Sequence, residues 1–185
     1  MRRTRVSLLA PALLLAGACA SSGTSHEPSP DRIVAVDDGG VVIRQSTDDQ
    51  FTTAAFAAPR DKVWHALLAA YAEAGIAPSL TDPAAGKYGN TAFAVPRRVM
   101  NRPISQFFNC GDGTTGRLVD NGQVTALIVT TLTSLPDGTT SASTQVKASL
   151  RRTDSAMGRL LNCSSSGALE EFLGTSIRKQ LGLFQ

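Results

Sequence analysis

The sequence predicts an α+β fold in which two main helices pack on one face of an antiparallel sheet, as a two-layer sandwich. Two amphipathic helical patterns and a pair of strongly alternating strand segments carry this prediction. The body, residues 31–185, is long enough for one domain with its own core, and neither a repeat nor a second linker divides it. We therefore predict a signal peptide at 1–18, a flexible tether at 19–30 and a single α+β domain at 31–185.

The first 18 residues have the pattern of an export signal. Three arginines within the first five residues precede an apolar run that ends in small side chains. The run from Val6 to Ala18 has 13 residues, whereas a membrane-spanning helix needs about 20. The segment "SSGTSHEPSP" after Cys19 and Ala20 contains no large apolar residue, so we expect it to be a flexible tether.

The segment Leu15-Ala16-Gly17-Ala18-Cys19 resembles the bacterial lipobox, although its leucine lies four places before the cysteine and three is usual. The resemblance implies a lipid on the Cys19 thiol and a membrane anchor. Ala18-Cys19-Ala20 also fits ordinary secretory cleavage after Ala20, which would give a secreted or periplasmic soluble protein. Because Ala20 is not the aspartate that retains lipoproteins in the inner membrane, we expect an outer-membrane anchor and a domain that faces the periplasm.

Removal of the signal changes both the charge balance and the cysteine count. The chain has 18 basic and 15 acidic residues, and three of the basic residues lie in the signal, so nucleic-acid binding is not predicted. With Cys19 acylated, Cys110 and Cys163 remain as an even pair in an exported protein, and we predict a disulfide between them. Because only His26 and His65 could join them as imidazole ligands, neither a metal nor another cofactor is predicted.

The first half of the body alternates strand and helix patterns. In "IVAVDDGGVVIR", two β-branched runs flank the turn dipeptide Asp38-Gly39 and predict a hairpin. "QFTTAAFAAP" and "GKYGNTAFAV" have strand character, and Gly86 and Gly89 are expected to bend the second strand. Between them, "APRDKVWHALLAAYAEAGI" predicts a helix with Pro59 at its first position and Gly75 just past its end.

The apolar side chains of this helix form a stripe that includes Trp64 and Tyr71. One wall of the core is the default interpretation of these two aromatic residues. The alternative is a wall of a cavity that holds an apolar ligand between helix and sheet. His65 lies beside the stripe and is predicted to be a boundary residue and not a catalyst.

The second half of the body predicts a long hairpin and a closing helix. "VTALIVTTLTSL" and "TTSASTQVKASLRR" flank the turn Pro136-Asp137-Gly138, and the second arm alternates apolar and polar residues, so one face should be buried. The final helix is expected to start after Ser166 or Gly167, with Glu170 and Glu171 in its first turn. Its predicted apolar stripe comprises Leu169, Phe172, Leu173, Ile177 and Leu181.

Two short motifs suggest enzyme chemistry, but neither has the required context. "CGDGTTG", residues 110–116, lacks the Gly-Lys-Ser/Thr ending of a phosphate loop, so a turn held by a disulfide is the better interpretation. "SIRK", Ser176 to Lys179, matches a Ser-x-x-Lys nucleophile motif without its companion motifs. No catalytic residue is therefore predicted, and an enzyme is the least favoured class.

Arg97, Arg98 and Arg102 form a basic cluster in "VPRRVMNRP", because no acidic residue lies between Asp82 and Asp112. A solvated loop is the default interpretation. The alternatives are contact with lipid headgroups, with an anionic cell-wall polymer or with an acidic partner. Phe107 and Phe108 follow, and we expect them to anchor this loop in the core.

The segment "FAAPRDKVWHALLAAYAEAGI" resembles the opening strand and helix of helix-grip modules in envelope lipoproteins. It is most similar to the lipoprotein C family of the outer-membrane β-barrel assembly machinery, in which an "APxxxVWxxLxxxLxxxGI" rhythm recurs. The likeness covers about 20 residues, and "NCSSSGALEEFL" with its cysteine departs from it. The resemblance implies a helix-grip-like fold, a non-catalytic role and an envelope protein as partner. The oligomeric state stays open, and Trp64, Tyr71, Arg97, Arg98 and Arg102 are the candidate contact residues.

Overall fold

The computed structural model describes residues 32–36, 41–45, 51–113, 116–152 and 160–183. The predicted signal peptide and tether, including Cys19 and His26, and the turn at Asp38-Gly39 lie outside the described residues. Two helices are found, α1 (Arg60–Glu73) and α2 (Ala168–Leu181), with 3-10 turns at Ile104–Gln106 and Leu118–Asn121. The strands are β1 (Arg32–Val36), β2 (Val41–Gln45), β3 (Phe51–Phe56), β4 (Leu80–Asp82), β5 (Lys87–Val95), β6 (Arg98–Val99), β7 (Arg102–Pro103), β8 (Phe108–Asn109), β9 (Asp112–Gly113), β10 (Gly116–Arg117), β11 (Gly122–Ser134), β12 (Thr140–Arg152) and β13 (Leu160–Ser165).

The predicted α+β class is confirmed. The main sheet is antiparallel and follows the order β1-β2-β3-β12-β11-β5-β4. One edge of β12 pairs with β11, while its other edge pairs first with β3 and then with β13, which continues to β8. The helices pack against each other and on the sheet, α1 against β5 and β11 and α2 against β3. The predicted first hairpin is present as the antiparallel pair β1–β2.

The long hairpin β11–β12 forms the centre of the sheet, as the alternating sequence predicts. Pairing begins at Ser134 and Thr140, beside the turn, and continues to Gly122 and Arg152. The turn is closed because the Leu135 amide donates to the Thr139 carbonyl at 2.9 Å. In β12 the buried residues are Thr140, Ala142, Thr144, Val146, Ala148 and Leu150. Burial of alternate residues places the helices on one face and leaves the other face to solvent.

Both predicted helices are present, with one difference at the start of α1. Pro59 is extended, with ψ of 154°, and caps the helix, so the first helical residue is Arg60 and not Pro59. Gly75 ends α1 as predicted, because its φ of +71° lets the Ile76 amide reach the Tyr71 carbonyl at 2.9 Å. Gly167 precedes α2, and the neighbouring Ser166 hydroxyl accepts a hydrogen bond from the first amide of the helix.

The predicted disulfide between Cys110 and Cys163 is confirmed, with the two Cα atoms 4.2 Å apart. It joins the residue after β8 to the middle of β13, so it fixes the long connection between β5 and β11 to the sheet. Phe107 and Phe108 are almost fully buried within this connection and anchor it in the core, as expected. The connection is thus held both by apolar burial and by a covalent bond.

At Gly89, the backbone of β11 leaves no room for a side chain on β5. A Cβ atom at Gly89 would lie 2.1 Å from the Ile128 carbonyl oxygen. Just beyond, the register between the strands shifts between Ala126 and Ile128, so that β5 bulges. The predicted bend of this strand therefore depends on the absence of a side chain at Gly89.

We expect Gly89→Ala to lower the free energy of unfolding by more than about 2 kcal/mol, because the new methyl group must displace the β11 backbone. The matched control is Gly174→Ala in α2, where a Cβ atom meets nothing within 4 Å. That change should raise the free energy of unfolding by about 0.5–1 kcal/mol. Urea denaturation of both variants measures the difference, and equal stabilities would contradict the close approach.

Candidate functional site

Tyr71 lies in the core between α1 and the sheet. Its side chain is fully buried, and its hydroxyl is 3.0 Å from the Thr130 Oγ1, which is 2.8 Å from the Thr144 Oγ1. Burial raises the pKa of Tyr71 well above its usual value. The default interpretation of Tyr71 as a core residue is therefore confirmed, with its hydroxyl satisfied by the two threonines.

Trp64 is half-buried and lines an open cleft at the start of α1. The cleft has a volume of about 280 Å³, and its other lining residues are Arg60, Asp61 and Pro83. The Arg60 guanidinium holds the loop between β4 and β5 in place by donating to the Pro83 carbonyl at 2.7 Å and the Ala84 carbonyl at 2.9 Å. Trp64 thus faces a small cleft between the helix and the loop at the sheet edge.

Tyr88 of β5 connects the two predicted aromatic residues. Its ring makes edge-to-face contacts with Trp64, at 5.7 Å between centroids, and with Tyr71, at 5.2 Å. Trp64 and Tyr71 therefore both contact the buried ring of Tyr88. The role of Tyr88 is not evident from the sequence, because only the packing of α1 on β5 reveals this contact.

The predicted basic cluster lies on a tight hairpin formed by β6 and β7. Met100 and Asn101 both have positive φ, 50° and 62°, which closes the turn between the strands. Arg98 donates to the Asn101 carbonyl at 2.5 Å within this hairpin. Arg102 donates to the Gln106 side-chain oxygen at 2.6 Å, and its guanidinium lies 5.3 Å from the centre of the Phe107 ring. These contacts hold both exposed arginines in position.

The neighbouring loop before β11 adds a fourth arginine to the cluster. Arg97 donates to the Asp120 carbonyl, and Arg117 donates to the Ser105 carbonyl at 3.2 Å. We call the surface formed by Arg97, Arg98, Arg102 and Arg117 the arginine end. The sequence does not reveal Arg117 as a member of the cluster, because Arg117 is brought there only by the folding of the connection between β5 and β11, which the disulfide holds.

The positive charge of the arginine end is not neutralised directly by a carboxylate of the described residues. All four side chains are exposed, and their hydrogen bonds go to carbonyl and amide oxygens. Asp112 and Asp120 are close in the chain, but within the described ranges no carboxylate lies within ion-pair distance of the four guanidinium groups. The surface can therefore attract an anion without first breaking an ion pair.

Glu170 lies in the first turn of α2. It is the one carboxyl side chain that is buried among the described residues. Its exposed fraction is 4%, and it accepts a hydrogen bond from the Ser165 hydroxyl at 2.9 Å. Burial raises the pKa of Glu170 above its usual value. The sequence predicts its place at the helix start but not its burial, because the stripe pattern assigns it to the helix boundary.

The two enzyme-like motifs have structural roles. Ser176 is buried and donates to a Glu73 carboxylate oxygen at 2.5 Å, while the Lys179 ammonium lies 3.6 Å from the other oxygen. The hydrogen bond from Ser176, followed by the charge of Lys179, lowers the pKa of Glu73. The Ser-x-x-Lys segment thus joins α2 to α1. In "CGDGTTG", Asp112–Gly113 pairs with Gly116–Arg117 as a hairpin beside the disulfide, as predicted.

His65 is exposed on α1, in agreement with a boundary position. The described part of the chain contains no group of three or more His, Cys, Asp or Glu side chains suited to hold a metal ion. None of its helices is long and apolar enough to cross a membrane. The disulfide indicates a location outside the cytoplasm, where such bonds persist.

Comparison with known proteins gives no assignment, because neither a protein-family model nor a curated protein matches the chain.

Glu170 makes the stability of the domain depend on pH in a predictable direction. Its pKa is raised in the folded state and is about 4.3 when the chain is unfolded. The folded state thus binds the proton more tightly, so the free energy of unfolding contributed by this group decreases as pH rises above about 4.3. Glu170→Gln should remove this decrease and should be more stable than the wild type at pH 7.

The measurement is urea denaturation of both proteins from pH 4 to pH 8. The difference between them isolates Glu170, since Glu73 and Asp137, whose pKa values are lowered, contribute equally to both. Glu171→Gln, one residue further along the same turn and exposed, is the matched control and should follow the wild type. A Glu170→Gln variant that is less stable at pH 7 would contradict the burial of a costly carboxylate.

Proposed function

We propose that this chain is a non-catalytic lipoprotein of the cell envelope that presents the arginine end to an anionic partner. A lipid on Cys19 anchors it in the outer membrane, the segment 19–30 acts as a tether, and the α+β domain faces the periplasm. The observation that carries the proposal is the arginine end, where four exposed guanidinium groups lie together without a carboxylate in ion-pair distance among the described residues.

The roles of the other ionisable groups support a binding role. Glu170 and Tyr71 are buried and satisfied by serine and threonine hydroxyls, and Glu73 joins the two helices. Each of these groups stabilises the fold and faces neither the cleft nor the arginine end. These three groups therefore act within the fold, whereas the four arginines of the arginine end are exposed and can act on another molecule.

The anchor is supported by the lipobox-like segment that ends in Cys19 and by the disulfide, which uses the other two cysteines of the chain. Cys19 is consequently the thiol that remains available for a lipid. The resemblance of the α1 region to helix-grip modules of envelope lipoproteins favours the same class, and an envelope protein remains the proposed partner.

The anchor predicts the mass of the mature protein. After export from its bacterial host, the chain should begin at Cys19 and carry acyl groups, and it should fractionate with the outer membrane. Cys19→Ala should lack the lipid and leave that fraction, whereas Ser22→Ala should behave as the wild type. An unmodified mature chain beginning at Ser21 would establish secretory cleavage after Ala20 and contradict the anchor.

A second candidate function is favoured by the cleft beside Trp64. The indole gives the cleft an apolar wall between the helix and the loop at the sheet edge, and Asp61 also lines it. Such a site suits a small apolar ligand. In this case the protein would be a periplasmic binding module, and the predicted site between helix and sheet would lie at the sheet edge, between α1 and the loop that follows β4.

The cleft predicts saturable binding of N-phenyl-1-naphthylamine, a dye whose emission rises in apolar surroundings. Trp64→Ala should weaken binding at least tenfold, because the indole forms the apolar wall. Leu183→Ala removes an apolar side chain that is 40% exposed outside the cleft and serves as the control. Equal affinities in the wild type and Trp64→Ala would place the dye elsewhere and remove this candidate.

A further inference from the structure

The arginine end occupies one end of the sheet. Val95 of β5 pairs with Val124 of β11, which pairs with Leu150 of β12, so these three residues form one row across the sheet. Arg97 follows Val95 by two residues, and its partner Asp120 precedes the start of β11. The arginine end therefore lies just beyond this last row, at the end where β12 finishes.

The first described strand, β1, begins at its end nearer the arginine end. Strand β3 pairs with β12 from Phe56, near the turn end, to Phe51, opposite Gln145. Strand β2 runs from Val41, which pairs with Ala54, towards Gln45, and so proceeds in the direction of the arginine end. Because β1 is antiparallel to β2, its first residue, Arg32, lies beside Gln45. Within the β1–β2 pair, Arg32 thus lies at the end that is directed towards the arginine end.

We propose that the arginine end docks on anionic phospholipid headgroups of the bilayer that holds the Cys19 lipid. This inference rests on the proposed function, since it needs the anchor. A tether of 12 residues has a root-mean-square length of about 20 Å, so the domain stays close to the surface at a high effective concentration. Because β1 begins at its end nearer the arginine end, this end of the domain, and not the opposite end, would face the membrane.

The chemistry of the surface suits phosphate groups. Guanidinium groups bind phosphate oxygens through paired hydrogen bonds, and they lose less on partial desolvation than ammonium groups do. Arg98 and Arg102 project on a hairpin of β6 and β7 whose conformation is fixed by its own hydrogen bonds. Each arginine near an anionic membrane should strengthen docking about fivefold. Because the mature chain is near neutral overall, local charge such as that of the arginine end, and not the net charge, would orient the domain.

Docking in this way determines what faces away from the membrane. The start of α1 lies at the turn of the β11–β12 hairpin, where the Thr140 hydroxyl donates to the Ala58 carbonyl at 2.8 Å. Trp64 lies four residues after the first residue of α1. The Trp64 cleft is therefore at the end of the sheet opposite the arginine end. A docked domain would keep this cleft open to the periplasm.

The test uses the full mature, lipidated protein reconstituted in vesicles of phosphatidylcholine alone or with one third phosphatidylglycerol. Hydrogen–deuterium exchange of the backbone amides is followed by mass spectrometry in low and high salt. We expect amides of residues 97–107 and 116–121 to exchange at least threefold more slowly on the anionic vesicles in low salt. High salt should remove the protection, because it screens exposed charges.

Variants separate charge from structure. A variant with Arg98→Gln and Arg102→Gln should lose the exchange protection on anionic vesicles. A variant with Arg98→Lys and Arg102→Lys should keep part of this protection. Lys62→Gln with Lys87→Gln removes the same charge elsewhere in the described domain and should leave the protection unchanged.

The outcomes distinguish this inference from the anchor. A mature protein without acyl groups overturns the proposed lipoprotein and this inference with it. An acylated protein whose exchange is the same on both kinds of vesicle overturns the docking alone. Protection of the same amides by soluble polyglutamate but not by anionic vesicles would also overturn it and would identify an acidic protein as the partner class.

Discussion

The structure depends on the burial of one face of the β11–β12 hairpin. Its two arms remain paired over their whole length, and alternate residues of both arms are buried beneath the helices. Burial of an apolar side chain contributes about 1.5–3 kcal/mol, and a slip of one residue would turn every buried side chain to solvent. The register of this hairpin is therefore strongly specified, and β3, β5 and β13 take their positions from it.

A second constraint acts on the long connection between β5 and β11. This connection contains short strands and 3-10 turns, which have few regular backbone hydrogen bonds of their own. Burial of Phe107 and Phe108 and the disulfide to Cys163 hold it against the sheet. Because its middle is fixed in this way, the arginines that it carries keep a defined arrangement on the surface.

Polar groups inside the domain are placed where they can be satisfied. The hydroxyls of Tyr71, Thr130 and Thr144 form a continuous set of hydrogen bonds beneath α1. Glu170 and Ser165 form another at the start of α2. Such groups lose their hydrogen bonds if the helices shift, so they favour one arrangement of the layers over others that bury the same apolar area.

The sequence by itself determined both helices, the central turn, the disulfide and the strands β1, β2, β3, β5, β11 and β12, because these features follow from period-two and helical patterns, turn residues and an even pair of cysteines. It did not predict β13 or the short strands β4 and β6 to β10, whose sequences are too short or too irregular to show an alternating pattern. It also found three of the four arginines of the arginine end, which are close together in the chain. Only the tertiary structure decided that Arg117 joins them, that Tyr88 contacts both Trp64 and Tyr71, and that Glu170 is buried. These facts depend on contacts between residues far apart in sequence or on the tilt of a helix over the sheet, and local patterns contain no information about either.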